Sequence, residues 1–314
     1  MTTRIVTVVG ASGTLGSQIV QALLERGAQV RAVVRATSDR TKLKSLGVTE
    51  FLVADLMDAT SLQQALTAEP RAEAVVASAA GFSAHSARTK GDNSRTDTEG
   101  YRNLVDAARI AGIPRFILIS ILGCDNAPGV AHCSYKFAAE KYLAEKRQPY
   151  LALRAAAFLD RTQDVIAPKV RKGVFPDIAP GVAVEMIYTP DLAEYAARAA
   201  LDLPASVLNQ SVDVRCNVPA TGSMVAAAFT RVLGRPVVAK PMIPSFIVPI
   251  LRLVASFVPR LRDQVKLLMW IRNGGCVSHE DRQKQKDLFG ELPTIEDSVT
   301  RYCRDRDLIR PTAS

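Results

Sequence analysis

Short apolar runs recur through the first half of the chain: RIVTVVG (4–10), AQVRAVV (28–34), EFLVAD (50–55), EAVVAS (73–78), RFILIS (115–120) and YLALRA (150–155). Each has the length of a strand. They are apolar throughout rather than alternating, which predicts a sheet covered on both faces. Between them the period changes to that of a helix. In LGSQIVQALLERG, Ile19, Leu23 and Leu24 fall on one face, and Gly27 supplies the stop. TEGYRNLVDAARIAG repeats the design, closing on Gly112 with Pro114 beyond. Strand and helix in alternation predict an α/β chain with a doubly wound parallel sheet.

After residue 155 the rhythm breaks up. VAVEMIYT and QSVDVR read as strands, and PDLAEYAARAALD and TGSMVAAAFTRVLG as helices. A long apolar and basic stretch follows, MIPSFIVPILRLVASFVPRLRDQVKLLMWIRNGG (242–275). Pro244, Pro249, Pro259 and Arg252 interrupt it too often for a membrane span of about 20 apolar residues. No repeat or low-complexity linker separates the halves, so a second lobe is expected to pack directly on the first.

Composition adds limits to this picture. With 314 residues, 48% hydrophobic and 23% charged, the chain has a globular balance. The formal charge is +9, and residues 231–286 hold eleven Lys/Arg against three Asp/Glu. Such a segment attracts an anionic substrate, an acidic lipid surface or nucleic acid. No zinc finger, helix-turn-helix or aromatic RNA-binding pattern accompanies it, so no nucleic acid partner is expected. Five scattered cysteines without a CxxC pair suit reduced thiols and no metal site. The N-terminus lacks a basic region, an apolar core and a cleavage site, and a cytoplasmic protein is expected.

The first candidate chemistry lies in VVGASGTLGSQIVQALL. Gly10, Gly13 and Gly16 stand where a strand turns into a helix. The first glycine allows the tight turn, the second lets the backbone approach a pyrophosphate, and the third lets helix and sheet pack closely. The helix N-terminus then offers free N–H groups and a positive dipole end to phosphates. Ser12, Thr14 and Leu15 complete the expected cofactor-binding turn. At the end of the second strand an NAD site would carry an acid for the ribose 2′-hydroxyl. Arg35 stands there instead, followed by Thr37, Ser38 and Arg40, while Asp39 comes several residues late. That exchange predicts NADP(H), because a guanidinium complements a 2′-phosphate. In ADLMD, Asp55 and Leu56 either flank the adenine or, for Asp55, cap a helix. Ala79, Ala80 and Gly81 are small enough for close cofactor approach. In the loop that follows, Phe82 is placed to close over a nicotinamide, and His85 reads as solvent-exposed.

Together GASGTLG, Arg35, ADLMD, TEGYRNLVDAA and the HxxxK pair of His132 and Lys136 resemble the NmrA-like branch of the atypical short-chain dehydrogenases/reductases. The resemblance continues through LALRAAAFLD and IYTPDLAEYAARAAL to LFGELPTIEDSVTRY. It implies an NADP-binding Rossmann domain, drawn over 1–155, and a smaller, mainly helical C-terminal substrate-binding lobe over 156–314, with segments free to return to the sheet. Relatives of this kind include isoflavone-reductase-like and quinone reductases, and also redox-sensing regulators that bind the cofactor without turnover. The Tyr-x-x-x-Lys acid–base pair of ordinary short-chain reductases is absent. Lys136 matches the lysine that reductase members keep against the nicotinamide ribose. Ser120 sits where short-chain enzymes often carry a substrate-polarising serine, although its successor ILGC departs from their pattern. In layout, the C-terminal half with IPSFIVPILRLV also resembles divinyl chlorophyllide reductases.

The stretch AHCSYKFAAEKYL carries the remaining candidates. His132 and Lys136, at i and i+4, share one face of a helix. Tyr135 lies about 100° round from Lys136. Lys136 is either a cofactor-site residue or a solvated helix lysine like Lys141 and Lys146. Tyr135 either adds a hydroxyl to the pocket or packs half-buried with a wet tip. A lysine serving as general acid near neutral pH would need its pKa lowered by burial or by a cation. The expected function is an NADPH-dependent oxidoreductase reducing a hydrophobic carbonyl, quinone or conjugated double bond, in a small substrate that can be anionic. The alternatives are an NADP(H)-sensing binding protein and a divinyl chlorophyllide reductase-like enzyme. Peripheral membrane contact through 242–275 is a further expectation for partners.

Overall fold

The computed structural model describes residues 4–81, 94–160 and 165–309. The chain runs β1 (Ile5–Val9), α1 (Thr14–Glu25), β2 (Gln29–Val34), α2 (Thr41–Ser45), β3 (Glu50–Val53), α3 (Ala59–Leu66), β4 (Ala74–Ala77), α4 (Tyr101–Ile110), β5 (Phe116–Ile121), α5 (Ala131–Glu145) and β6 (Tyr150–Ala155). It continues through β7 (Ala157–Phe158), α6 (Ile166–Val170), β8 (Val174–Asp177), β9 (Met186–Ile187), α7 (Thr189–Leu201) and β10 (Gln210–Val214). The remainder is α8 (Gly222–Leu233), β11 (Val238–Pro241), α9 (Val248–Phe257), α10 (Pro259–Arg272), α11 (Arg282–Phe289) and α12 (Ile295–Asp305).

The main sheet has seven strands in the order β10-β6-β5-β4-β1-β2-β3, the Rossmann-like arrangement expected from the alternating pattern. β1 runs parallel to β2 on one side and to β4 on the other, and the pairs β2–β3 and β4–β5 are also parallel. The strand order therefore reverses beside β1, which makes the ends of β1 and β4 the switch point where such sheets bind ligands. Every residue of β1 and β4 is buried, as the unbroken apolar runs require.

The chain divides into two compact units. The first comprises residues 1–121, 135–154 and 189–212, so α7 and the start of β10 join it although they come late in sequence. The sequence reading drew one division at 155 and left room for such a return. Within this unit α1 packs against α7, and α3 against α4. Asp58, not Asp55, caps α3: its carboxylate accepts from Thr60 N at 3.0 Å and Ser61 N at 3.2 Å. Arg31 is buried in β2 and donates to the carbonyls of Ala68, Glu69 and Pro70 while pairing with Glu50 at 2.5 Å.

The second unit comprises residues 122–134, 155–188 and 213–314. Its core gathers Tyr188, Phe229 and Tyr302 in edge-to-face contacts, and α8 packs on α12. The run VAVEMIYT, expected as one strand, forms only the two-residue β9, which pairs with β7. Glu185, just before it, is buried and pairs with Arg282 at 2.7 Å and Arg215 at 3.6 Å. The stretch 242–275 forms two short helices, α9 and α10, that pack on each other. Among the described residues no helix is long and apolar enough to cross a membrane.

Gly16 shows how closely the first helix meets the sheet. A Cβ there would overlap the Gly10 carbonyl and come within 3.0 Å of Ala11 Cα. Both obstacles are backbone and cannot swing aside. Gly16→Ala is therefore expected to lower stability by about 1–3 kcal/mol in urea denaturation.

Candidate cofactor-binding site

Across the carboxyl ends of β1, β2 and β3 and the turn after β4 lies a cleft of about 420 Å³. Gly10, Ser12 and Gly13 form one wall, Arg35 and Ser38 another, and Asp55 and Leu56 a third. Ala79, Ala80, Gly81 and Thr96 close the side beyond β4. Gly10 has φ +84°, and a Cβ on it would come 2.6 Å from Ala79 N, so the two turns touch backbone to backbone. Gly13 by contrast faces solvent, and a Cβ there would meet just the Gly10 carbonyl at 3.3 Å. No side chain caps the first turn of α1. The donors of that turn are thus left for an anion, as pyrophosphate binding requires. Thr14 is exposed, Leu15 half-buried and Gly16 buried under the turn.

At the far wall, Arg35 is exposed at the end of β2, and its backbone N–H meets Ser38 Oγ at 3.2 Å. Asp39 is exposed, and its carboxylate accepts from Thr41 N at 2.8 Å. That hydrogen bond from the Thr41 backbone holds its carboxyl below the usual range. Arg40 stacks over Phe51 at 5.4 Å. Asp55 faces the cleft while its Oδ1 accepts from Met57 N at 2.8 Å, and Asn103 fixes the carbonyl of Leu56 at 2.9 Å. A dinucleotide fits these donors. Glycine backbone and a helix start suit the pyrophosphate, a guanidinium and hydroxyl suit a ribose phosphate, and an apolar edge suits the adenine.

Behind the turn after β4 stands a buried group that the sequence reading half found. Lys136 Nζ donates to the Tyr101 hydroxyl at 2.8 Å and to the Ala79 carbonyl at 3.3 Å, and it pairs with Asp97 at 3.7 Å. It also lies 4.1 Å from the centre of the Tyr101 ring. Tyr101 donates to the Ala79 carbonyl at 2.5 Å, and Asp97 Oδ2 accepts from Gly81 N at 3.0 Å. All three side chains are buried. Asp97 belongs to a π-helical turn, Thr96–Gly100, that leads into α4. Burial alone would push the Lys136 pKa down, but the charges and hydrogen bonds of Tyr101 and Asp97 outweigh it and raise the pKa. Burial, with Asp97, also raises the Tyr101 hydroxyl against the opposing pull of Lys136. Lys136 is therefore a fixed cation that braces the turn at Ala79–Gly81, not a solvated lysine and not a group tuned to release its proton near neutral pH.

The other expected site residues fall elsewhere. Ser120 is buried, and its hydroxyl donates to Glu140 at 2.5 Å. Glu140 also takes the Arg154 guanidinium at 2.7 Å, so Ser120 belongs to a buried polar cluster and does not line the cleft. This corrects the expectation that it polarises a substrate. His132 and Tyr135, both half-buried on α5, do not line the cleft either. Phe82 and His85 lie outside the described residues. Tyr101 and Asp97 were missed, since a tyrosine four residues after an acid on an amphipathic helix gives no local sign of a distant lysine. Among the described residues no cluster of ligating side chains could hold a metal ion.

Lys136→Met would leave Asp97 buried without its cation, at an expected cost of about 3–5 kcal/mol in denaturant unfolding. Adding Asp97→Asn to that variant should restore much of the loss. Because the folded pKa of Lys136 is raised, its contribution is complete below the ordinary lysine range and fades as pH rises through the folded value. The Lys136 contribution to stability should therefore be flat across neutral pH and fall on the alkaline side. That alkaline component should shrink in Lys136→Met.

Comparison with known proteins agrees with the cleft. A family described as NAD(P)H-binding matches residues 10–172. The photosystem II assembly factor Ycf39 of Synechocystis is 29% identical over 195 residues, covering 62% of this chain and 57% of that protein. Its counterpart from Guillardia theta is 29% identical over 192 residues, 61% of this chain and 59% of that protein. The matches thus span somewhat more than half the length of these relatives. Triphenylmethane reductase of Citrobacter superposes with a TM-score of 0.72 at 22% identity, covering 95% of this chain and 99% of that one. The NADPH-dependent quinone oxidoreductase of Escherichia coli gives 0.70 at 21% identity, with the same coverage of 95% and 99%. At such identities the two structures establish a shared fold. The family match over half of the sequence, together with the resemblance read from the motifs, leads to one conclusion: the chain belongs to the NAD(P)H-binding family.

Proposed function

We propose that the chain is an NADPH-dependent reductase of a hydrophobic carbonyl, quinone or conjugated double bond. The observation that carries this reading is the wall of the cleft at the end of β2. Arg35 and Ser38 line it, and the nearby Asp39 is engaged by Thr41 N. A 2′-phosphate there would meet a cation and a hydroxyl, while a free 2′-hydroxyl would lack its usual acidic acceptor. NADPH, when bound, supplies a hydride, which with one proton turns a carbonyl into an alcohol or a quinone into a hydroquinone.

The chain's own residues serve chiefly to position. The uncapped start of α1 and the backbone of Gly10–Gly13 would hold the pyrophosphate. Asp55 and Leu56 would border the adenine. Lys136, Asp97 and Tyr101 fix the turn of Ala79–Gly81, against which the cofactor would lie. In this reading the proton comes from solvent, because the partners of Lys136 raise its pKa and hold its proton.

The same raised pKa favours a second reading, a binding protein that reports NADP(H) level without turnover. The assembly factors among the relatives are compatible with it. One experiment separates the two: NADPH and NADH titrations of wild type and Arg35→Ala, followed by a screen of quinones and enones. Loss of a charge-assisted contact of about 1.5–3 kcal/mol should weaken NADPH about 10- to 100-fold and leave NADH nearly unchanged. Steady NADPH oxidation with any acceptor upholds the reductase. Tight NADPH binding with no oxidation gives way to the sensor, and equal affinity for NADH removes the role assigned to Arg35.

A further inference from the structure

The second unit leaves a large apolar stripe uncovered. Phe246 is 76% exposed, Ile250 58%, Leu253 63%, Val254 41% and Phe257 79%. Phe246 lies in a single 3-10 turn, Ser245–Ile247, that runs straight into α9. The spacings of three and four residues place all five side chains along one face of the same helical path. Ala255 is the single buried residue of α9. An ordinary surface helix turns its apolar stripe to the core; this one turns it outward. Contiguous exposed apolar surface of this kind marks a docking face.

Charge identifies what the face suits. Residues 231–262 contain six Lys/Arg and no Asp or Glu. Lys240, Arg252, Arg262 and Lys266 are exposed, and Arg262 donates to the Ser256 carbonyl at 3.1 Å, beside Phe257. We propose that α9 and the turn before it form an in-plane anchor for an anionic lipid surface, with Phe246, Leu253 and Phe257 entering the interface and the surrounding cations meeting headgroups. Phenylalanine and leucine on one side with arginine and lysine flanking them is the pattern of interfacial helices. Cations near an anionic bilayer each add on the order of 1 kcal/mol. The helix, ten residues long, lies on a membrane and does not cross it. A second copy of the chain fits less well, since a twofold contact would set the same unbalanced cations against one another.

The base of the anchor is firm. Arg272 on α10 donates to the carbonyls of Ile178 and Ile243, both at 2.9 Å, and α10 packs along α9. The stripe residues support little else in the fold, so they can be changed without unfolding it.

The test is flotation of the full chain with phosphatidylcholine vesicles and with vesicles carrying about one-third phosphatidylglycerol, at low and high salt. Wild type should float with the anionic vesicles, more weakly at high salt, and not with phosphatidylcholine alone. Phe246→Ser with Phe257→Ser should lower partitioning about tenfold or more while leaving Tm and NADPH affinity unchanged. Arg252→Glu should weaken it and reduce its salt dependence. Absence of binding to anionic vesicles, or equal binding by the phenylalanine variant, would overturn the proposal. So would a dimer in light scattering that the same variant dissolves, which assigns the face to a second copy.

Discussion

The buried ammonium of Lys136 is the interaction on which the cofactor cleft depends. A lysine stripped of water is costly unless its charge is matched and its protons are used. Here Asp97 matches the charge, and the Tyr101 hydroxyl and Ala79 carbonyl take protons. Each partner is also joined to the turn that leaves β4, through Ala79 or through Gly81 N. The arrangement converts one electrostatic requirement into a fixed backbone shape. On the opposite side, Gly10 presses on the Ala79 backbone with no room for a side chain. The turn is thus held from behind by a charge cluster and from the front by close packing.

The Tyr-x-x-x-Lys acid–base pair of ordinary short-chain reductases is absent here, and the lysine that is present is engaged with the backbone. Lys136 grips the backbone as a charged donor, a state that its raised pKa preserves, where a proton donor near neutral pH would need a lowered one. The second buried cluster, Ser120 with Glu140 and Arg154, follows the same logic one strand further along. Both clusters use residues of α5, whose polar positions would read on their own as an exposed face.

The sheet, the glycine turn and the Arg35 wall were legible because each rests on local spacing. Apolar runs mark β1 to β6, Gly10, Gly13 and Gly16 mark the turn, and the residue ending β2 is found by counting. Lys136 was legible as a candidate but not in its chemistry, for its partners lie 39 and 35 residues earlier in the chain, at Asp97 and Tyr101. Periodicity records which face of a helix is apolar; it does not record which distant carboxylate that face meets. The same blindness misread Ser120, whose position in β5 suggested catalysis while its hydroxyl was committed to Glu140. It also read VAVEMIYT as one strand, whereas only Met186–Ile187 pairs as β9 and Glu185 beside it is buried against Arg215 and Arg282, a tertiary event. The apolar stretch at 242–275 was recognised as too broken to span a membrane, but its outward orientation emerges only from the packing of α9.

The most direct measurement of the central claim is the NADPH affinity of Tyr101→Phe, taken by calorimetry beside wild type. The substitution keeps the buried ring and the direct bond from Lys136 to the Ala79 carbonyl but deletes the hydroxyl that accepts from Lys136 and donates to that same carbonyl. A braced turn predicts weaker NADPH binding, by about tenfold, in a protein that still unfolds cooperatively. Unchanged affinity in a folded Tyr101→Phe variant would show that the cluster stabilises the fold without shaping the site, and would contradict the account.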